Sequence, residues 1–521
     1  VFPIDRFLRY SIPFRLPAET IDYFRSVADR RGECAFLYGD DGEKFGMWPG
    51  TFKWVFEEKW LVNFIEAVLR EDWISMTLPS DYIRENPPLG RVYLTQGSYY
   101  ELSEWALPSP VASRLIDLHK EIKGWNREKD FYPVLKGGVW NNFLNKYPES
   151  NALNKRTLLL SDEIRTLERE RGISLDEAKI DLYRSECNCA YWHGLFGGIY
   201  LSSLRHALHE NILAAEERYM RARALKGFDV IDRDLWNEGT NQVLLRREDM
   251  AALITPAHGG AIAELGVYSR RFDILAVIPR RYEAYHETLR NFDEEGEQNG
   301  DVKSIHDMVV VKEKGLKDRL VYDACRRYSF KDLFLRACPS AEELMAGRAD
   351  MMECGCLPYS YNVEKKAKSL QVPLERVVDF EGKRVVIHKR YSFSASLAGV
   401  KAAYSLAGAA GILFGIELNI NLLAAHDEDR FYEIPGLARD DSFLDGVGLT
   451  EKIDSFRLVD RYGDMRISIS SSRAFNLFRY PIYTVSQSDR GFEKNYKGSS
   501  MVLVFGLNAD PEEFDLTMSI E

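Results

Sequence analysis

Positive charge is what this 521-residue sequence is short of: 69 Lys and Arg stand against 80 Asp and Glu, a formal net charge of −11. A polyanion partner needs a basic footprint, so no nucleic acid is expected. Long apolar runs are also missing. The longest, Ala402 to Ile416, is fifteen residues interrupted by Gly408, Gly411 and Gly415, short of the roughly 18–20 that span a bilayer. It reads as buried strands, and no membrane partner is expected. Cysteine is scarce and odd in number, seven in all, which excludes a disulfide scaffold and makes a reducing, cytoplasmic compartment the expectation. Cys187-x-Cys189 and Cys354-x-Cys356 lack the spacing of zinc loops, so free thiols and no metal are expected there. His206-x-x-His209-Glu210 lacks the i, i+4 histidines of metalloproteases and reads as a helix-surface pair. Internal repeats and low-complexity tracts are absent, which excludes solenoids.

What is present is ordinary globular composition, 45% hydrophobic and 29% charged, with length for two or three domains. Residues 1–90 alternate short apolar runs, Ala35–Tyr38 and Ile74–Leu78, with the amphipathic pattern Leu61, Phe64, Ile65, Val68, Leu69. That alternation is the mark of βα units, with a helix expected from Trp54 to Leu69. Residues 91–225 read as helical. Ile199, Leu201, Leu204, Leu208, Ile212 and Leu213 recur at helical spacing, with Arg205, Glu210, Glu216, Glu217 and Arg218 expected on the surface. From 226 to 521 the period becomes two: Phe514, Leu516, Met518 and Ile520 alternate with polar residues, and many such strands predict a two-sheet sandwich. Asp293 to Gly300 reads as an acidic polar loop.

Two stretches carry candidate chemistry. In Leu37 to Trp48, three carboxylates, Asp40, Asp41 and Glu43, follow the Ala35–Tyr38 run on a glycine turn. Acids at the C-terminal end of a parallel strand stand where α/β barrels keep their chemistry, and Trp48 offers a flat face for a sugar. Taken alone, Asp-Asp-Gly is more simply an acidic, solvated turn. The second stretch is Cys187 to Leu201, with Tyr191-Trp192-His193-Gly194 on the approach to a long helix. Gly194, Gly197 and Gly198 permit close contact with a ligand or another segment, and packing alone is the plainer reading.

Together with Leu94–Pro108, Lys146–Arg156, Pro279–His286 and Ser486–Gly491, these stretches closely resemble, in order, the characteristic regions of the family 57 glycoside hydrolases, in the branch of 4-α-glucanotransferases and α-amylases. The resemblance implies the C-terminal part of a (β/α)7 barrel over 1–90, a helical central domain over 91–225 and a large antiparallel β-sandwich over 226–521. It implies a retaining enzyme acting on α-1,4-glucans or maltooligosaccharides, with no cofactor. By the same likeness Asp41 takes the acid/base role, and Glu43, Trp48, Cys189 and Trp192 take substrate positions. A neighbouring Asp40 or Glu43, and an apolar wall, would hold Asp41 protonated.

The sequence also departs from the family pattern. Cys189 replaces a usual aspartate, and a thiol cannot accept the same charge-assisted hydrogen bonds. Asn154 stands where histidine is common. No residue matches the nucleophilic glutamate, and Val1–Asp5 matches a position beyond the segment that carries it, so the chain resembles an N-terminally truncated, inactive enzyme. The rival expectation is a non-catalytic glucan-binding or structural homologue.

Overall fold

The computed structural model describes every residue except 1, 49, 89, 95, 292–312, 367–368 and 489–490. The acidic stretch Asp293–Gly300 lies outside the described residues. The chain divides into two compact units, Val1–Thr95 and Gln96–Glu521.

The first unit is built of helices around an aromatic core. Arg6–Ser11 and Pro17–Arg31 precede the acidic loop, and Trp60–Leu69 and Pro79–Glu85 follow it. Leu8, Ile12 and Trp60 are fully buried, packed by Phe7, Tyr23, Phe36 and Phe45. Two indole N–H groups tie the loops down: Trp54 donates to Pro13 O and Trp60 to Arg15 O, both at 2.6 Å. The expected strand Ala35–Tyr38 is reduced to one parallel bridge, Leu37 to Ile4, and Ile74–Leu78 has no strand pairing. A strand exists only through a ladder to its neighbour, and among the described residues no neighbour lies beside Ile74–Leu78. The expected helix from Trp54 breaks at Lys59, whose φ is +59°, and its apolar stripe is only partly covered. Val68 is buried while Ile65 and Leu69 are 49% and 75% exposed.

The second unit begins with helices, among them Ser109–Gly124, Pro148–Arg171, Asp176–Arg184 and Ser202–Arg223, and turns to strands at Asp229. Among the described residues a five-stranded antiparallel meander, Asp229 to Asp273, faces a thirteen-stranded antiparallel sheet. Both sheets bury side chains in one core, Val243, Leu245 and Ile254 from the first with Leu374, Ile387, Phe414 and Leu516 from the second. The C-terminal strand Glu512–Ile520 buries alternate residues from Phe514 to Ile520, as its period of two requires. It lies between Gly399–Ala407 and Met465–Ser488, a neighbour relation between strands distant in the chain. No described helix is long and apolar enough to cross a membrane.

Three sequence expectations fail here, each because a tertiary partner exists. Arg205 and Glu216 are not on the surface but buried, at 2% and 0% exposure. Glu216 accepts from Arg156 at 2.9 Å, Arg246 at 3.3 Å and Tyr268 at 3.0 Å, and this paired cluster locks the long helices onto the small sheet. His206 and His209 are not a surface pair: the first packs on Phe272 and the second lies 3.3 Å from Asp273. Cys356 is not a free thiol, being bonded to Cys325 thirty-one residues earlier. That disulfide closes a loop holding the strand Lys331–Leu335 and the helix Ala341–Met345.

Within the sandwich core, Lys389 and Asp332 are a fully buried pair at 2.8 Å. The ammonium also donates to Gly259 O and Phe330 O, and Tyr359 and Tyr404 donate to the carboxylate. Lys389→Met should cost about 3–5 kcal/mol by leaving the carboxylate unpaired. Asp332→Leu combined with it should recover part of that loss. Denaturant midpoints of the wild type and both variants measure this, and a single variant as stable as wild type contradicts it.

Candidate functional site

In the first unit the loop 37–48 leaves the Leu37 bridge, which is reinforced by Asp5 N donating to Leu37 O at 2.9 Å. Asp40 turns inward and its side chain is 1% exposed. Lys44 caps it in a short ion pair and also donates to Arg9 O at 2.7 Å, while Arg9 Nε lies 3.7 Å from the same carboxylate. Asp40 Oδ1 accepts from the backbone N–H of Asp41 at 2.9 Å and so shapes the turn. Its charge is therefore balanced by two cations.

Asp41 and Glu43 are exposed, and their carboxylates make no hydrogen bond or ion pair with the described residues. Among the described residues of its own unit no apolar wall covers Asp41. Of the groups expected to act on Asp41, Asp40 is paired with Lys44 and Arg9, whereas Glu43 is exposed on the same turn. Trp48 is half-buried, stacked at 6.0 Å on Phe14 with the Lys44 ammonium 5.4 Å from its ring. Gly46 has φ +128°, and a Cβ there would meet Phe56 at 2.9 Å.

In the second unit Cys189 lies exposed in the turn Asn188–Tyr191, a free thiol. Trp192 is extended and half-buried, stacked on Trp105 at 5.9 Å and against Phe143 at 5.3 Å. The glycines answer to packing. A Cβ at Gly194 would come within 2.4 Å of Trp105, and one on Gly198, whose φ is +51°, within 2.0 Å of Trp192 O. His193 donates from Nδ1 to Gly197 O at 2.9 Å, which leaves Nε2 buried without a partner among the described residues. Burial pushes its pKa down to about 4, so the ring is neutral.

Behind this segment lies a feature that residue-by-residue reading missed. Glu283 is buried and accepts from Tyr147 and Tyr200, each at 2.7 Å, and from Ser109 at 3.1 Å, with the Lys146 ammonium at 2.9 Å. Burial alone would raise its pKa, but Lys146 and the hydroxyls overcome it and hold the carboxyl at about 2. Glu283, His193, Lys146 and Trp105 line a cavity of about 770 Å3, with Tyr285 and Glu104. Glu104 is the opposite case: burial, then Glu101, pushes its pKa up to about 7. The available signal was the set of ordered blocks. Trp105, Lys146, His193, Glu283 and Gln487 come from five of them and line this one cavity.

Glu283→Gln should destabilise the second unit by about 3–5 kcal/mol at pH 7, because it strands a buried ammonium. The folded pKa lies below the ordinary carboxylate value of about 4.3. The stabilisation is therefore complete above that value and is lost as pH falls toward 2. Denaturation of wild type and variant from pH 7 to pH 3 should show the gap narrowing below about pH 4. A gap constant with pH would count against it.

Three family models match successive parts of the chain: glycosyl hydrolase family 57 over residues 1–95, and the middle and C-terminal domains of alpha-amylase/4-alpha-glucanotransferase over 138–219 and 234–520. The 4-alpha-glucanotransferase of Thermococcus kodakarensis is 32% identical over 511 residues, covering 98% of this chain and 72% of its own. Alpha-amylase 1 of Dictyoglomus thermophilum is 33% identical over 514 residues, 96% of this chain and 71% of the relative. The crystal structure of the 4-alpha-glucanotransferase from Thermococcus litoralis superposes with a TM-score of 0.80 at 30% identity, over 100% of this chain and 72% of that one. With every block in order and these likenesses spanning nearly its whole length, the chain belongs to glycosyl hydrolase family 57, in the branch of the 4-α-glucanotransferases and α-amylases.

Proposed function

We propose that this protein acts on α-1,4-glucans as a retaining 4-α-glucanotransferase with accompanying α-amylase activity, Asp41 serving as acid/base. Retaining chemistry needs two carboxyl groups about 5–5.5 Å apart, one to attack and one to protonate the leaving oxygen. Water as acceptor gives hydrolysis, and a sugar hydroxyl gives transfer. The reading is supported by the unequal treatment of the two adjacent acids: Asp40 is spent on Lys44 and Arg9, whereas Asp41 is exposed and uncommitted. Glu43 and Trp48 are assigned to substrate on the same loop, and Cys189 and Trp192 on the second unit. The nucleophilic carboxylate is assigned to no residue of this sequence.

A second reading, a glucan-binding protein without catalysis, is favoured by the thiol at Cys189, where the family resemblance expects a carboxylate. Incubation with maltotriose followed by thin-layer chromatography separates the two. By itself the 521-residue chain should transfer at least about 10³-fold more slowly than relatives that hold both carboxylates. In an active form carrying a nucleophile, Asp41→Asn should abolish transfer, and Cys189→Asp should change donor preference or rate. Full transfer by Asp41→Asn would refute the acid/base assignment. Robust transfer by the unaided chain that is lost in Asp41→Asn would place the nucleophile within these residues.

A further inference from the structure

The second unit carries another cavity, of about 520 Å3, between the helices Asn142–Lys146 and Pro148–Arg171 and the turn 234–241. Its lining includes neither Cys189, Trp192, His193 nor Glu283. Four asparagines line it, Asn141, Asn145, Asn154 and Asn237. None of their side-chain amides makes a hydrogen bond to the described residues. A fifth, Asn151, is committed: it donates to Trp236 O at 2.8 Å and fixes the turn against the helix.

Two indoles, Trp140 and Trp236, line it as well, with Leu144 and Pro148. Trp236 is 2% exposed, and its Nε1 finds no acceptor among the described residues. A buried donor left so costs about 1–3 kcal/mol unless something entering the groove accepts from it. Formal charge cancels, with one lysine, Lys155, and one glutamate, Glu238, whose carboxylate is held by Arg326 through two contacts of 2.9 Å.

This chemistry selects a class of ligand. An anion calls for several guanidinium or ammonium groups and a divalent cation for several carboxylates, and the lining holds one lysine and one glutamate. An amide presents donor and acceptor side by side, which suits a hydroxyl that must both give and receive. An indole face suits the C–H face of a sugar ring, apolar but polarisable. We propose that this groove binds a neutral oligosaccharide, its hydroxyls held by the amides of Asn141, Asn145, Asn154 and Asn237 beside Trp140. It is a second carbohydrate site, apart from the residues assigned to chemistry. The ligand class follows from the groove itself; the choice of an α-glucan as first probe rests on the proposed function.

Titration calorimetry of the 521-residue protein with maltoheptaose, and separately with cellohexaose, tests it. Wild type should bind maltoheptaose, and Asn145→Ala/Asn154→Ala should weaken binding at least tenfold. Both asparagines are partly or fully exposed, so unchanged melting should accompany the loss; if the double variant fails to fold, Asn237→Ala takes its place with the same expected direction. Binding untouched by the groove variants but lost in Trp48→Ala overturns the groove and leaves the proposed function standing. Binding of cellohexaose alone, lost in the groove variants, upholds the groove and removes the α-glucan reading. Failure of wild type to bind either sugar overturns the proposal.

Discussion

A carboxylate taken out of water must be met by donors, and the second unit is arranged around meeting one. Glu283 is satisfied by Ser109, Lys146, Tyr147 and Tyr200, which come from three separate stretches of chain. Each loses its partner if its segment shifts, so the positions of those segments are set together. Tyr200 stands at the end of the Cys187–Leu201 segment, and fixing it fixes the approach on which His193 and Trp192 lie. His286, three residues on, accepts from Glu283 N at 3.2 Å and is 3.0 Å from Val485 O, which draws in the strand that carries Gln487. The penalty for an unpaired buried charge, several kcal/mol, is what makes the arrangement stiff.

A parallel division operates on the loop of the first unit. Asp40 and Asp41 are identical side chains one residue apart, and alternation along an extended chain sends them to opposite sides. The inward one is paired with Lys44 and Arg9 and holds the turn; the outward one is exposed and makes no ion pair with the described residues. A site needs both kinds of acid, because a carboxylate that stabilises the fold through an ion pair is poorly placed to titrate during a reaction. The same contrast appears in the large cavity, where Glu283 is kept ionised by its partners and Glu104 is pushed up to about 7 by burial.

The glycines of the second segment show how far local freedom is decided elsewhere. Gly194 lies against the face of Trp105, and Gly198 against Trp192 O. Their lack of a Cβ lets the aromatic layer of Trp105, Trp192 and Phe143 approach the backbone. Trp192 is at once part of that layer and, in the proposed function, a surface for sugar. Being half-buried, it can serve both.

Period and order were legible in the chain itself. The two-residue alternation of Phe514 to Ile520 specifies a half-buried strand because side chains on extended backbone point alternately to opposite faces, and it is found buried that way. Six ordered blocks identified the family, and five of them contribute to one cavity. Periodicity could not tell that Arg205 and Glu216 are buried, since polar residues at helical spacing read as surface until Arg156, Arg246 and Tyr268 are brought beside them. Nor could it pair Cys325 with Cys356, separate Asp40 from Asp41 by burial, or find four uncommitted asparagines in one groove. Those outcomes depend on which distant groups arrive at the same place. Local sequence sets backbone shape and apolar faces, but the fate of a polar side chain is set by the partner or the solvent it meets once the chain has folded.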